Sequence, residues 1–187
     1  MLKRIAVSGL LGGVVLCLWT FIIDGLLGFN SRISMKQIPH ERQVYDVLKE
    51  NIIEPGRYAC NPGLTASGMF PENEPVFSVQ YSGIGHESAG VELLCNLVIF
   101  FLAPTIAASM LSGTSVRIIS SYWRKVFFFA AVGLLFAIFG DLRNFGIGGS
   151  PLSHTLMFAV RSIMSWTIVG FVVAWQMRPE AGSSMNS

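Results

Sequence analysis

Charge is what this chain has least of. Only 13% of its 187 residues are Asp, Glu, Lys or Arg, against roughly 25% in ordinary soluble domains. The deficit is concentrated in four long apolar runs, the mark of a polytopic membrane protein and not of a soluble enzyme. The net charge of +2 is small, and the basic residues form no stripe, which excludes a nucleic-acid partner. Cysteine is scarce as well. Cys17, Cys60 and Cys95 make an odd count with no C-x-x-C spacing, so a disulfide framework, a zinc site and a thiol-redox motif are all excluded. Catalytic signatures are missing too: there is no G-x-S-x-G elbow, no H-E-x-x-H and no Walker loop. Gly83-Ile84-Gly85 and the glycines of 146–149 are turn glycines, too irregular to cradle a phosphate. No catalytic residue and no metal site is assigned.

What is present is hydrophobic length. A membrane-crossing helix needs about 20 mostly apolar residues, and residues 5–28, 91–111, 126–145 and 154–177 each supply that. The first run follows Lys3 and Arg4 and could pass for a signal peptide. It is too long for an h-region, lacks a small-x-small cleavage site, and has Leu16 where a lipoprotein signal would place a small residue before Cys17. It is therefore read as a retained first span. Ser8, Gly9, Gly12 and Gly13 form overlapping small-xxx-small pairs that let a neighbouring helix approach closely. Pro104 lies inside the second span, where a kink is expected. Ser153 is the expected N-cap of the fourth.

Residues 29–90 hold most of the acidic residues. After Pro39, HERQVYDVLKEN predicts a short amphipathic helix, with Val44, Val47, Leu48 and Ile52 on one face and Glu54-Pro55-Gly56 stopping it. GRYACNP and PVFSVQYSG then read as two short strands. One helix and two strands make a small α/β cap, marginal by itself. The expected fold is an all-α membrane bundle of four helices with this cap between the first and second. Residues 178–187 form a polar, disordered cytoplasmic tail.

Orientation follows from the basic residues beside the spans. Lys3, Arg4, Arg117, Arg124, Lys125 and Arg178 lie in short segments on one side, and Arg143 alone lies in the turn between the third and fourth spans. The positive-inside rule puts both termini in the cytoplasm and residues 29–90 outside. Trp123 and Trp175 fall near the cytoplasmic boundary.

Five ionisable residues lie toward the outer ends of the spans: Asp24, Glu92, Asp141, Arg143 and Arg161. Arg161 is the deepest, about 12 Å along its helix from Ser153 at the standard rise. An arginine at that depth needs a partner or a path to water. Asp141, across the tight turn, is the expected partner, with Glu92 or Asp24 as second choice; Ser162 and Ser165 can add hydrogen bonds. The cluster has two readings: an ion pair that fixes helix packing, with Arg161 snorkelling, or a proton, ion or anion site open to the outside. His86 and His154 fall on the same side at similar depth and could ligate a haem or a metal. No H-x-x-x-H spacing supports that, and no cofactor is expected.

The order of parts resembles a loose group of uncharacterised small bacterial inner-membrane proteins. These open with a glycine-rich helix carrying a tryptophan, here GLLGGVVLCLW ending at Trp19. They continue with an external helix and a G-x-Y element, here VYDVLKENIIEPGRY ending at Tyr58, and three more spans follow. Phe29-Asn30 stands where that group has a tryptophan and a proline. The resemblance implies an inner-membrane location and lends no activity. The leading expectation is a non-enzymatic accessory or structural subunit, bound to lipid and to other membrane proteins or to itself. The alternatives are a small transporter or ion-conducting protein using Asp141 and Arg161, and a membrane haem or redox protein using His86 and His154.

Overall fold

The computed structural model describes residues 2–34 and 36–177. The tail expected at 178–187 lies outside the described residues. The chain is mostly helical, and four helices are long and apolar enough to cross a membrane: Leu2–Leu26, His86–Ser112, Tyr122–Asn144 and Leu152–Gln176. The first is α1 (Leu2–Thr20) extended by a π-helical turn, Phe21–Leu26. A short α2 (Phe29–Ser34) and then α3 (Glu41–Asn51) follow, before a two-stranded antiparallel sheet of β1 (Gly56–Cys60) and β2 (Phe77–Tyr81) in which Tyr58 pairs with Val79. The second long helix is α4 (Ala89–Ser112), preceded by a 3-10 turn at His86–Ser88. After the short α5 (Val116–Ile119) comes α6 (Tyr122–Phe136), which ends in a π-helical turn, Ala137–Asp141, and a 3-10 turn, Leu142–Asn144. The last is α7 (Leu152–Gln176).

Apolar helices gain little from burying more apolar surface against one another in lipid, so close backbone approach and dispersion have to hold them together. The sequence supplies small residues at the crossings. In α1, Gly9 faces Thr105, Gly12 faces Pro104 and Gly13 faces Phe101, all on α4; a Cβ on Gly12 would stand 2.9 Å from the Pro104 Cβ. The α6–α7 crossing uses the same device from both sides. A Cβ on Gly133 would meet the Trp166 Cβ at 2.8 Å, and one on Gly170 would meet the Phe129 Cβ at 2.7 Å. Phe129 stacks on Trp166 with ring centroids 6.4 Å apart. α7 lies between α1 and α6 and packs extensively on both.

The buried core, which includes Ala107, Ala108, Leu111, Phe129, Val169 and Val173, sits toward the end of the bundle where α1 begins and α7 finishes. Lys125 is buried there, and its Nζ donates to the Met177 carbonyl at 2.8 Å. Toward the other end, α4 parts from its neighbours: residues 89–99 are all exposed. The helix itself is continuous through Pro104. Proline removes one helical N–H, and the hydroxyl of Thr105 donates back to the Phe101 carbonyl at 2.7 Å beside it.

The expected N-cap at Ser153 is corrected. α7 begins two residues earlier, at Leu152, with Pro151 at the cap position and no side-chain cap. The Pro151 carbonyl accepts from the N–H groups of His154 and Thr155 at 3.0 and 3.1 Å. The fixed φ of proline sets the chain's entry into the helix, so Ser153 falls inside the first turn.

The hairpin is tethered to the turn before α7. Arg57 donates from Nε to the Ser78 hydroxyl at 3.0 Å and from Nη2 to the Gly148 carbonyl at 3.3 Å. Gly148 adopts φ +65 and lies against Val76 and Ser78. A two-stranded sheet is marginal alone, so this tether to the bundle fixes its place.

Candidate functional site: a polar seam on α7

Four polar contacts converge on one stretch of α7. Arg161 forms an ion pair with Asp24, through Nη2 and Oδ2. The next residue, Ser162, donates to Asp141 Oδ2 at 2.6 Å. One turn further on, the Ser165 hydroxyl donates to the Arg161 carbonyl at 2.8 Å and accepts from the Trp19 indole N–H at 3.0 Å. The guanidinium of Arg161 also lies over the ring of Phe29, 5.7 Å from its centroid, within cation–π range. Phe29 in turn meets Phe158 edge-on at 5.7 Å.

The expected Arg161–Asp141 pairing is therefore replaced by Arg161–Asp24. The reason is angular. Neighbouring residues on an α-helix point 100° apart, and α7 is flanked by α1 and α6. Arg161 faces α1, so it meets Asp24. Ser162 faces α6, so it meets Asp141. Each aspartate sits in a π-helical turn at the end of its own helix. A π turn widens the helix and changes the direction of the residues within it, so proximity along the chain does not predict which carboxylate reaches which residue of α7.

The side chains of Arg161 and Asp24 are 24% and 25% exposed, so the pair is partly buried among apolar helices. Asp24 Oδ1 and Arg161 Nε are buried with no hydrogen-bond partner among the described residues. The pair therefore uses one of the two parallel hydrogen bonds open to an arginine and a carboxylate.

The other candidate residues stand apart. Arg143 is exposed and covers the ring of Phe139 at 5.9 Å. Glu92 is exposed on the first turn of α4. The five ionisable residues thus divide into one ion pair, one serine-bound carboxylate and two surface charges. His86 is exposed in the 3-10 turn before α4, and His154 is half-buried in the first turn of α7. Neither belongs to a group of three or more metal-ligating side chains among the described residues.

Trp19 and Phe29 are the members of the seam that sequence reasoning did not place. Trp19 read as an ordinary aromatic of the first span and Phe29 as the first residue of the cap; the role of Trp19 depends on the rotation of α1 against α7, and Phe29 is carried over Arg161 at the start of α2. The cavities among the described residues include one in the cap and one beside the seam. One, of about 430 Å³, lies between α3 and the hairpin and is lined by Tyr45, Leu48, Ile52, Val79 and Tyr81 among others. It is mainly apolar and shares no lining residue with the seam. The other, of about 230 Å³, is lined by Asp141, Asn144, Ser150, Thr155 and Phe158. It adjoins the seam on the α6 side. No family model matches the chain, and neither does any curated protein or solved structure.

Proposed function

We propose that this is a non-enzymatic integral membrane protein of a bacterial inner membrane, serving as an accessory or structural subunit of a larger membrane assembly. In this reading the four long helices span the bilayer, residues 29–90 form a periplasmic cap, and both termini are cytoplasmic. Lys3, Arg4, Arg117, Arg124 and Lys125 support that orientation, since all lie at the end where α1 starts and α7 finishes. The positive-inside rule assigns such an end to the cytoplasm. Trp123 and Trp175, both exposed, lie at the same end, as interface aromatics do.

The observation that carries the subunit reading is α4. Residues 89–99 are exposed all around the helix, and they include Glu92 and Asn96. Lipid can cover Leu93, Leu94 and Leu97 at no cost, but it offers no hydrogen-bond partner to a carboxamide. Asn96 lies one turn inside Glu92 and on the same side, at i and i+4. A partner helix carrying polar groups at that level would satisfy both. The expected result of placing a photoreactive residue at Leu93 or Asn96 in living cells is a discrete protein adduct, with none from Ile106 on the lipid-facing side. A chain that gives no adduct at either position, and that runs as a lone monomer in mild detergent, overturns the proposal.

A second reading, a small transporter or ion-conducting protein, is supported by the two π-helical turns. Such turns recur at functional sites, and here each carries an aspartate aimed at α7. The neutral Asp24→Asn/Asp141→Asn/Arg161→Met variant, which removes both aspartates and the arginine, tests it. Unchanged ion or proton flux in proteoliposomes removes this reading.

A further inference from the structure

The geometry points to the cavity between α6 and α7 as a binding site for a primary ammonium group. The cavity, about 230 Å³, is lined by Asp141, Asn144, Ser150, Thr155 and Phe158. Its volume is below the roughly 300–1,000 Å³ of sites for drug-sized ligands, so the occupant is small.

The lining has one sign of charge. Asp141 is half-buried and forms no ion pair among the described residues; its one hydrogen bond is from Ser162. The two cations of the polar cluster are engaged elsewhere. Arg161 pairs with Asp24, and Arg143 lies over Phe139. A half-buried carboxylate at the end of an apolar bundle attracts a counter-charge, so the site favours a cation and disfavours an anion.

The remaining groups select the kind of cation. Asn144 donates its Nδ2 to the Gly140 carbonyl at 2.8 Å, which leaves its side-chain oxygen as an acceptor. Thr155, nearly fully buried, donates its hydroxyl to the Leu152 carbonyl at 2.8 Å, which likewise leaves oxygen lone pairs. Ser150 adds a third neutral oxygen. One carboxylate, three neutral oxygens and the ring of Phe158 suit a singly charged group with several N–H donors. An ammonium has three donors and is attracted to an aromatic face. A divalent ion would draw on more carboxylates than the single one here.

The ammonium could belong to a free amine or to an ethanolamine lipid headgroup, because the cavity lies at the helix ends. Thermal unfolding in nanodiscs distinguishes them. In phosphatidylcholine discs, which offer no N–H donors, ethanolamine hydrochloride should raise the unfolding midpoint by several degrees by mass action. Sodium chloride at equal ionic strength should not. If the natural source is lipid, discs containing phosphatidylethanolamine should show the rise already, and added ethanolamine should contribute little more. If the source is a free amine, only the soluble compound should act. Either pattern supports the site. Asp141→Asn should abolish the response while retaining the Ser162 contact, and Ser150→Ala, which leaves Asp141 in place, should weaken it. The proposal is overturned if the wild type responds to neither source, if sodium chloride acts equally, or if Asp141→Asn responds like the wild type. It does not depend on the subunit role, since photocrosslinking from α4 can fail while this response persists.

Discussion

Asp24→Asn lowers the stability of the protein by about 2 kcal/mol, less than for a fully buried ion pair because the pair is only partly buried, with the other charge left behind. The change leaves Arg161 as a cation held among α1, α7 and Phe29 with no counter-charge. Arg161→Met should cost a similar amount by leaving Asp24 uncompensated. The double variant Asp24→Asn/Arg161→Met should recover most of the loss, because no charge then remains to be desolvated. Asp141→Asn is the contrasting case. An asparagine still accepts from Ser162, so the cost should be about 1 kcal/mol or less, in line with a neutral hydrogen bond replacing a charge-assisted one. Unfolding midpoints in one detergent, measured for all four variants, check the pattern. Equal effects of Asp24→Asn and Asp141→Asn, or a double variant as weak as the sum of its parts, would show that the Asp24–Arg161 pair does not hold α1 against α7.

The four long helices, the amphipathic α3 and both strands were legible in the sequence, because each depends on local pattern. Apolar length marks a span, periodicity marks α3, and β-branched or aromatic residues bounded by Pro and Gly mark the strands. The glycines of α1 were legible for the same reason. Gly133 and Gly170 were not, since single glycines in separate helices show no spacing until the helices are paired. That Arg161 needs a carboxylate was also readable from its depth. Which carboxylate it takes was not. Asp141 is nearer along the chain, but the choice depends on the rotation of α7, and only the three-dimensional packing shows that Arg161 and Ser162 face different neighbours. The divergence of α4 at residues 89–99 was hidden for a related reason. Its sequence is apolar whether it packs on protein or on lipid.

Gly9→Ala is expected to be the most damaging single methyl group that can be added to the α1–α4 crossing. A Cβ at Gly9 would collide with Thr105, including its backbone Cα at 2.8 Å. Backbone cannot rotate out of the way, so the two helices must separate. Overpacking of this kind costs about 1–3 kcal/mol, and in lipid no added hydrophobic burial offsets the lost dispersion contacts. Gly13→Ala meets the ring of Phe101 instead, and a side chain can turn, so the effect should be smaller. Gly90→Ala provides the internal control. Nothing lies within 4 Å of a Cβ there, and alanine favours helix over glycine by about 1 kcal/mol, so that variant should be neutral or slightly more stable. Adding Thr105→Gly to Gly9→Ala should restore part of the stability by removing the threonine side chain while leaving its backbone in place. Unfolding midpoints, read alongside disulfide trapping between cysteines introduced at facing positions of α1 and α4, measure both the energy and the spacing. If Gly9→Ala and Gly90→Ala prove equally harmless, α1 and α4 do not approach at Gly9. The crossing that brings the first span into the bundle would then have to lie elsewhere.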